Sequence, residues 1–177
     1  MSEPSSGLER VSLKSDAVGA VTDVLGYLAA HNTVSIATIG ADGPWASTVF
    51  YVNIKLDLYF LSEPKTQHIQ NLAVSPRVAA TVNEDYRDWQ QIKGVQLAAD
   101  CVQVSGKVES IRALRAYVKK YPFVRQFLTP GQLLVGMQVA GRALDVRLYR
   151  LRPTRVLYLD NQRGFSNRQE IVLESQR

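Results

Sequence analysis

Short alternating runs joined by tight turns place the strongest constraint on how this chain folds. Apolar and polar side chains alternate over residues 33–39, the sequence Ala41-Asp42-Gly43-Pro44 is typical of a turn, and a second run returns over residues 45–53. A third run, residues 56–62, follows after a short polar break. Connections this short join neighbouring strands that run in opposite directions. The segment therefore predicts an antiparallel meander.

The rest of the chain predicts further strands and a few helices. The spacing of apolar residues predicts helices over residues 15–31, about 65–74 and 111–120, the last with an apolar continuation to about Leu128. Further strands are predicted over residues 77–82, 94–108, 146–152 and 155–160, and the run 94–108 is long enough for two. Residues 129–143 are apolar and contain three glycines, which fits either a loose helix or a flap over a pocket.

These elements predict a mainly β (α+β) fold. Six or seven mostly antiparallel strands with few helices between them favour a closed barrel with appended helices. The chain has 177 residues, 46% of them hydrophobic, which suits the core of one domain. We expect a flexible N-terminus over residues 1–13, the domain over residues 14–165 and a polar C-terminal tail over residues 166–177.

The long run 94–108 changes phase near Asp100. Val95, Leu97, Ala99 and Cys101 share one face, whereas Val102, Val104 and Val108 share the other. A bulge, or a strand that leaves one packed surface for another, would explain this change. Cys101 is then expected to be small buried filler rather than a reactive thiol.

Composition and motifs exclude several functions. One cysteine rules out a disulfide framework within the chain, and the absence of a leader or a long apolar run favours a cytoplasmic location without a membrane span. The net charge is +5, but the cations are scattered among acids, which favours a local anionic ligand over nucleic acid. Two distant histidines make a metal site improbable, and no phosphate loop or nucleophile elbow is present, so catalytic residues stay unassigned.

A polar helix start after the third run is the best candidate binding site. Ser62 ends the strand, Pro64 suits a first helical turn, and the following side chains lie where backbone N–H groups point outward. A phosphate would gain the helix dipole, hydroxyl donors and positive charge there. The donors are Ser62, Lys65, Thr66, Gln67 and His68. The alternative is that Ser62 only caps the helix, with Lys65 and His68 on the surface.

The order "LYFLS", "KTQHIQNL" and "SPRVAATV" over residues 58–82 resembles the pyridoxamine 5'-phosphate oxidase-like split barrels that bind flavin mononucleotide (FMN). The likeness extends from the first helix to about Phe165, and "IKGVQ" and "YPFVRQFL" resemble the small members of unassigned substrate. The resemblance implies a split β-barrel homodimer that buries two FMN molecules between its protomers.

The resemblance also implies roles for particular residues. Ser62, Thr66, Gln67 and His68 would hold the FMN phosphate with Lys65 nearby, and an exposed edge would run along the isoalloxazine ring. That edge consists of Ala46, Ser47, Thr48 and Val49. Trp89, Gln91 and Lys93 would reach the cofactor of the partner subunit through a flat aromatic face, amide donors and a cation. Trp89 as a loop anchor on the core is the alternative.

Several departures argue against oxidation of pyridoxamine phosphate. Ser47 and Gln67-His68 stand where the vitamin-converting oxidases carry basic residues, Gly94 replaces a glutamine, and the C-terminal Arg-x-His signature is absent. Arg163, Gly164 and Phe165 lie where the small relatives border the pocket, although structural filler is the favoured role for Phe165. Tyr51 and Tyr86 could donate protons, but a core or surface role is favoured.

The sequence therefore favours a cytoplasmic homodimeric FMN flavoprotein, with electrons or hydride passing to or from an unidentified small molecule. Haem-handling proteins and deazaflavin-dependent reductases use the same barrel, so they stay open. A haem would have only His31 or His68 as a histidine ligand, and His31 is expected to be an end-of-helix residue. A non-catalytic FMN-binding module is a further alternative, and a nucleic-acid binder is the outsider.

Overall fold

The computed structural model of the chain describes residues 19–127 and 146–173. Helix α1 covers residues 19–30. The other helices are α2 (Gln67–Val74) and α3 (Lys107–Lys120), with 3-10 turns at Trp89–Gln91, Pro122–Phe127 and Asn161–Arg163. The strands are β1 (Thr33–Gly40), β2 (Gly43–Ile54), β3 (Asp57–Ser62), β4 (Arg77–Asn83), β5 (Lys93–Gln103), β6 (Arg147–Asp160) and β7 (Arg168–Glu170).

All strand pairings in the described sheet are antiparallel and close it into a barrel. The order is β3-β2-β1-β4-β5-β6-β7, and β3 also pairs with β6, so that six strands form the closed barrel and β7 is added to β6. The turn at residues 41–42 joins β1 to β2 with Ile39 opposite Pro44. The predicted mainly β barrel with appended helices is confirmed.

Apolar side chains pack on both surfaces of the barrel wall. The larger core cluster fills the interior, where Ile36, Tyr51 and Phe60 are fully buried, and the α1 residues Val24 and Leu28 join it. A second cluster lies outside, where Ala113 and Tyr117 of α3 cover Val52, Tyr59 and Leu148. Because α3 protects only part of the outer surface, strands β1, β2, β4 and β5 keep an exposed outer face.

The long run of strand residues differs in part from its prediction. Val95, Leu97, Ala99 and Cys101 are buried together as expected, and Cys101 is 3% exposed. The strand ends at Gln103, however, and Val108 lies in α3 with 83% of its surface exposed. The prediction of two strands' worth of chain over residues 94–108 is therefore wrong, because the run changes there from a strand to a helix.

The two strands predicted over residues 146–152 and 155–160 are one continuous strand, β6. Pro153 cannot donate a ladder hydrogen bond, and the register shifts there, with Arg155 opposite Ala98 and Pro153 opposite Ala99. Thr154 is the extra residue, and its hydroxyl donates to the Ala98 carbonyl at 3.2 Å. The chain thus accommodates the proline with a bulge and continues the same strand.

The segment predicted to be a polar tail contains a short strand. Strand β7 pairs with β6, with Tyr158 opposite Gln169, and Ile171 beyond it is 3% exposed in the core. The predicted flexible terminus over residues 1–13 and the helix or flap over residues 129–143 lie outside the described residues.

Candidate functional site

Strand β2 presents an open backbone edge. Residues 43–50 pair with β1 on one side, whereas β3 pairs with β2 only from Tyr51 to Ile54. Within the described chain no strand occupies the other side of the predicted ring edge, residues 46–49. Ala46 and Thr48 are exposed, and Ser47 and Val49 are half-buried. Among the described residues, the edge therefore has backbone N–H and C=O groups with no strand partner on that side.

The turn between β3 and α2 gathers three polar side chains. The Ser62 hydroxyl lies 3.1 Å from the Thr66 hydroxyl and 2.8 Å from the Nε2 atom of His68, and Thr66 Oγ1 lies 3.3 Å from the same nitrogen. Ser62 is 7% exposed and His68 is 7% exposed. Three of the five predicted phosphate ligands thus meet, which forms a small polar cluster at the end of a buried strand.

The helix start beside this cluster has amide N–H groups to offer. Thr66 is the N-cap of α2, but its hydroxyl donates to the Glu63 carbonyl at 2.9 Å and makes no capping hydrogen bond. No described residue accepts from the backbone N–H of Gln67 or His68. The Ser62 hydroxyl contacts Thr66 and His68 and does not cap α2, so the alternative in which Ser62 only caps the helix is wrong. An anion would find two backbone donors at the positive end of the helix dipole.

The charge state of the cluster depends on His68. Burial lowers the pKa of His68 below its ordinary value, so that the imidazole is neutral near pH 7 without a ligand. A bound phosphate would favour the protonated ring and raise that pKa. Lys65 is exposed on the same turn and supplies a nearby cation. Without a ligand, the site therefore combines a neutral imidazole and two hydroxyls with the nearby cation of Lys65.

The two other predicted phosphate ligands border the cluster. Gln67 is exposed, and its Nε2 atom donates to Asn71 Oδ1 at 2.8 Å. This contact leaves a second N–H of the same amide for a ligand. Asn71 is buried and was not singled out in the sequence, where its place in an amphipathic helix gives no signal of a polar contact.

The second predicted region, residues 88–93, carries exposed aromatic rings. Trp89 is 52% exposed and contacts Phe165, which is 78% exposed, with ring centroids 5.4 Å apart. Asn161 Nδ2 donates to the Trp89 carbonyl at 2.7 Å and joins the two loops. Gln91 is exposed. The expectation that Phe165 is structural filler is therefore wrong, because its ring lies outside the core. The half-exposed ring of Trp89 likewise does not anchor the loop on the core.

Lys93 borders an open cleft of about 390 Å³. Its Nζ atom lies 3.5 Å from Asp160 Oδ2, and the cleft also includes Thr81, Tyr86 and Gln96. The Tyr86 hydroxyl is 3.2 Å from that of Tyr27, which donates to the Lys93 carbonyl. No sequence pattern marks Thr81 and Gln96, since only the pairing of β4 with β5 places them side by side.

The two regions lie on opposite sides of one protomer. In the closed order, β2 and β5 are three strands apart in either direction, a separation of about 14 Å measured along the sheet at about 4.8 Å per strand. Ser35, opposite both Thr48 and Thr81, marks the path across the outer face. One protomer therefore does not bring Lys93 to its own β2 edge.

Each histidine already has polar partners among the described residues. His68 Nε2 faces two hydroxyls, and His31 follows α1, where its Nδ1 atom lies 2.7 Å from the Tyr27 carbonyl and its Nε2 atom 2.9 Å from Glu84. His31 is thus the end-of-helix residue that the sequence predicts. Tyr51 is fully buried and donates to the Leu28 carbonyl, which confirms its core role.

The described residues contain neither a metal-binding cluster nor a membrane-spanning helix. Over residues 19–127 and 146–173, no group of three or more His, Cys, Asp or Glu side chains is arranged to hold a metal ion. Over the same ranges, no helix has the length and apolar character needed to cross a membrane.

A family model and a curated protein both match this chain in sequence. The family model described as pyridoxamine 5'-phosphate oxidase matches residues 22–160. A UPF0306 protein of Photorhabdus laumondii is 28% identical over 106 residues, which cover 59% of this chain and 73% of the relative.

Two solved structures show the same fold at low identity. A haem-binding protein of Mycobacterium smegmatis has a TM-score of 0.66 at 20% identity, covering 96% of this chain and 59% of its own. An FAD-binding protein of Mesorhizobium loti has a TM-score of 0.56 at 15% identity, covering 76% of this chain and 88% of its own. This chain therefore spans little more than half the length of the haem-binding protein.

Proposed function

Because the chain belongs to the pyridoxamine 5'-phosphate oxidase family, we propose that it is an FMN-binding flavoprotein that exchanges electrons or hydride with a small molecule. The observation that carries the proposal is the polar cluster of Ser62, Thr66 and His68 beside two free amide N–H groups at the start of α2. This donor set suits a phosphate. The adjoining open edge of β2 suits the polar rim of a flavin ring.

The phosphate would be held by backbone and side-chain donors. The backbone N–H groups of Gln67 and His68 would bind its oxygens directly, the Ser62 hydroxyl would turn from the cluster toward it, and Lys65 would add charge from the exposed side. Thr66 already donates to Glu63, so its hydroxyl would hold the turn and orient Ser62 and His68. His68 would take up a proton as the anion binds.

The isoalloxazine ring would lie along Ala46, Ser47, Thr48 and Val49. Small side chains at Ala46 and Ser47 let a planar group approach the backbone closely, and the Trp45 indole N–H donates to Ser47 Oγ at 2.9 Å, which keeps that side chain in place. The bound FMN would supply the redox chemistry. The protein would bind it, orient it and exclude water from one face.

A homodimer completes this proposal. The outer face carries a row of exposed alanines on four neighbouring strands, Ala46, Ala37, Ala79 and Ala98, each directly opposite the next. Such a smooth face allows two sheets to pack closely. Because Lys93 cannot reach the β2 edge of its own protomer, the partner's copies of Trp89, Gln91 and Lys93 would complete each FMN site.

Mixed dimers test the shared site. We would combine protomers carrying Thr66→Ala and His68→Ala with protomers carrying Trp89→Ala and Lys93→Ala, at an FMN concentration above the Kd of the wild type and below the Kd of either variant alone. The proposal predicts that mixing equal amounts restores FMN binding to about a quarter of the wild-type stoichiometry, since about half of the randomly formed dimers are mixed and one of the two sites in each mixed dimer is intact. If each FMN site were instead formed by a single protomer, mixing would restore no FMN binding. A monomeric protein would refute the dimer.

A haem-handling role is the second candidate, favoured by the likeness to the Mycobacterium smegmatis haem-binding protein. It would require His31 or His68 to leave its present partners, Tyr27 and Glu84 in one case and Ser62 and Thr66 in the other. Haemin titration of the wild type and of His31→Ala and His68→Ala would distinguish the roles. A Soret band that shifts in one histidine variant would favour haem.

A further inference from the structure

A chain of buried polar groups connects the start of α2 with the start of the β2 edge. Gln67 Nε2 donates to Asn71 Oδ1 at 2.8 Å, Asn71 Nδ2 donates to Thr38 Oγ1 at 3.0 Å, and the Thr38 hydroxyl donates to the Trp45 carbonyl at 3.3 Å. Asn71 is 3% exposed and Thr38 is 4% exposed. Thr38 and Asn71 are 33 residues apart in the sequence. Tertiary folding alone brings them together.

The direction of these hydrogen bonds is set by the number of protons. A threonine hydroxyl has one hydrogen, and here it points to the Trp45 carbonyl, which can only accept. Thr38 must therefore accept from the NH₂ group of Asn71, and Asn71 must turn its carbonyl oxygen to Gln67. Gln67 is left to present its own NH₂ group. One of its hydrogens goes to Asn71, and the other has no partner among the described residues.

Burying the side chains of Thr38 and Asn71 has a free-energy cost. Burying an amide and a hydroxyl is unfavourable unless each is hydrogen-bonded, and an apolar pair would be simpler to pack in this position. Gly40 leaves space for the network, because a Cβ atom at this position would collide with the Asn71 side chain. A fully paired buried network of this kind fixes one geometry.

We propose that Thr38 and Asn71 are positioning residues of the FMN site, which orient the Gln67 amide as a donor to the phosphate. The proposal rests on the proposed function, because its ligand is the FMN phosphate. The far end of the network is the carbonyl of Trp45, immediately before the ring edge at Ala46. The same hydrogen bonds therefore tie the phosphate turn to the strand that carries the ring.

Comparison of FMN with riboflavin, which lacks the phosphate, tests this role. Thr38→Val removes the hydroxyl at nearly constant volume, so Asn71 loses its acceptor and Gln67 its fixed orientation. We expect FMN affinity to fall about three- to tenfold, the range for one hydrogen bond, while riboflavin affinity stays the same. Thr38→Ser keeps the hydroxyl and should keep the wild-type affinity ratio. Thr33→Val, at the other end of β1, is the matched control.

A double-mutant cycle separates orientation from general damage. On a Gln67→Leu background, Thr38→Val should cause no further loss of the FMN to riboflavin ratio, because the oriented group is already absent. An unchanged ratio in Thr38→Val, an equal loss for both ligands, or an additive loss on the Gln67→Leu background would overturn the proposal. If Thr38→Val melts below the assay temperature, Thr38→Ala gives the same comparison. Failure of the wild type to bind FMN would instead refute the proposed function, and the inference with it.

Discussion

Removing two groups of the phosphate cluster gives the sharpest test of the site. In the double variant Thr66→Ala, His68→Ala, Ser62 loses both side chains that hold its hydroxyl, which lie 3.1 Å and 2.8 Å away. The phosphate then loses the imidazolium that its own charge would create, and the turn loses the hydrogen bond from Thr66 to Glu63. The backbone N–H groups and Lys65 stay, so binding weakens without disappearing.

The expected magnitude follows from the number of interactions lost. One hydrogen bond to a charged group contributes about 1.5–3 kcal/mol, and a neutral one about 0.5–1.5 kcal/mol. The orienting bonds from Thr66 are lost in the free protein as well, so only the charged contact from His68 counts fully. A loss of at least about 1.4 kcal/mol, or about tenfold in FMN affinity, is therefore expected.

Quenching of flavin fluorescence during titration measures this loss. The control variant, His31→Ala with Thr33→Ala, removes the same residue types outside the phosphate turn and should bind FMN like the wild type. Riboflavin should bind the test variant and the wild type equally, because it has no phosphate. Unchanged FMN affinity in a folded test variant, or an equal loss of riboflavin affinity, would show that the phosphate does not bind at this turn.

Three further predictions follow from the titratable groups. Because burial lowers the pKa of His68 and a phosphate would raise it, FMN titrations from about pH 8 to about pH 6 should show affinity rising more in the wild type than in His68→Gln, and equal slopes would contradict proton uptake. Burial lowers the pKa of Lys120 to about 8, so between that pH and its ordinary value of 10.5 the unfolded state binds more protons and urea unfolding should show stability rising with pH. Lys120→Met should lack that rise, and a matching rise in the variant would assign it to another group. Burial raises the pKa of Cys101 to about 12, so a thiol reagent should label it only after unfolding, and rapid labelling of the folded protein would be inconsistent with its packing.

Local signals in the sequence predicted the barrel and the polar turn. The hairpin at residues 41–44 fixes the register of β1 with β2, and alternation in β4 and β5 identifies the buried face. The turn at Ser62 was identifiable because its donors are neighbours in the chain. Ser62, Thr66 and His68 lie within seven residues, so a short strand and one helical turn are enough to bring them together.

Features that depend on distant contacts were not predictable. The bulge at Thr154 depends on how β6 pairs with β5, and Pro153 alone predicted a break. The bond between Asn71 and Thr38 joins an amphipathic helix to a strand, and neither pattern indicates a polar partner. The exposure of Phe165 follows from the short loop that precedes β7, a strand too short and too polar to show alternation.

The visible absorption spectrum of the purified protein tests the central claim most directly. It should be recorded as purified and again after FMN is added in slight excess and the protein is desalted. The account predicts that a two-band flavin spectrum stays with the protein, at one FMN per protomer. A single intense Soret band, or a colourless protein after desalting, would contradict it.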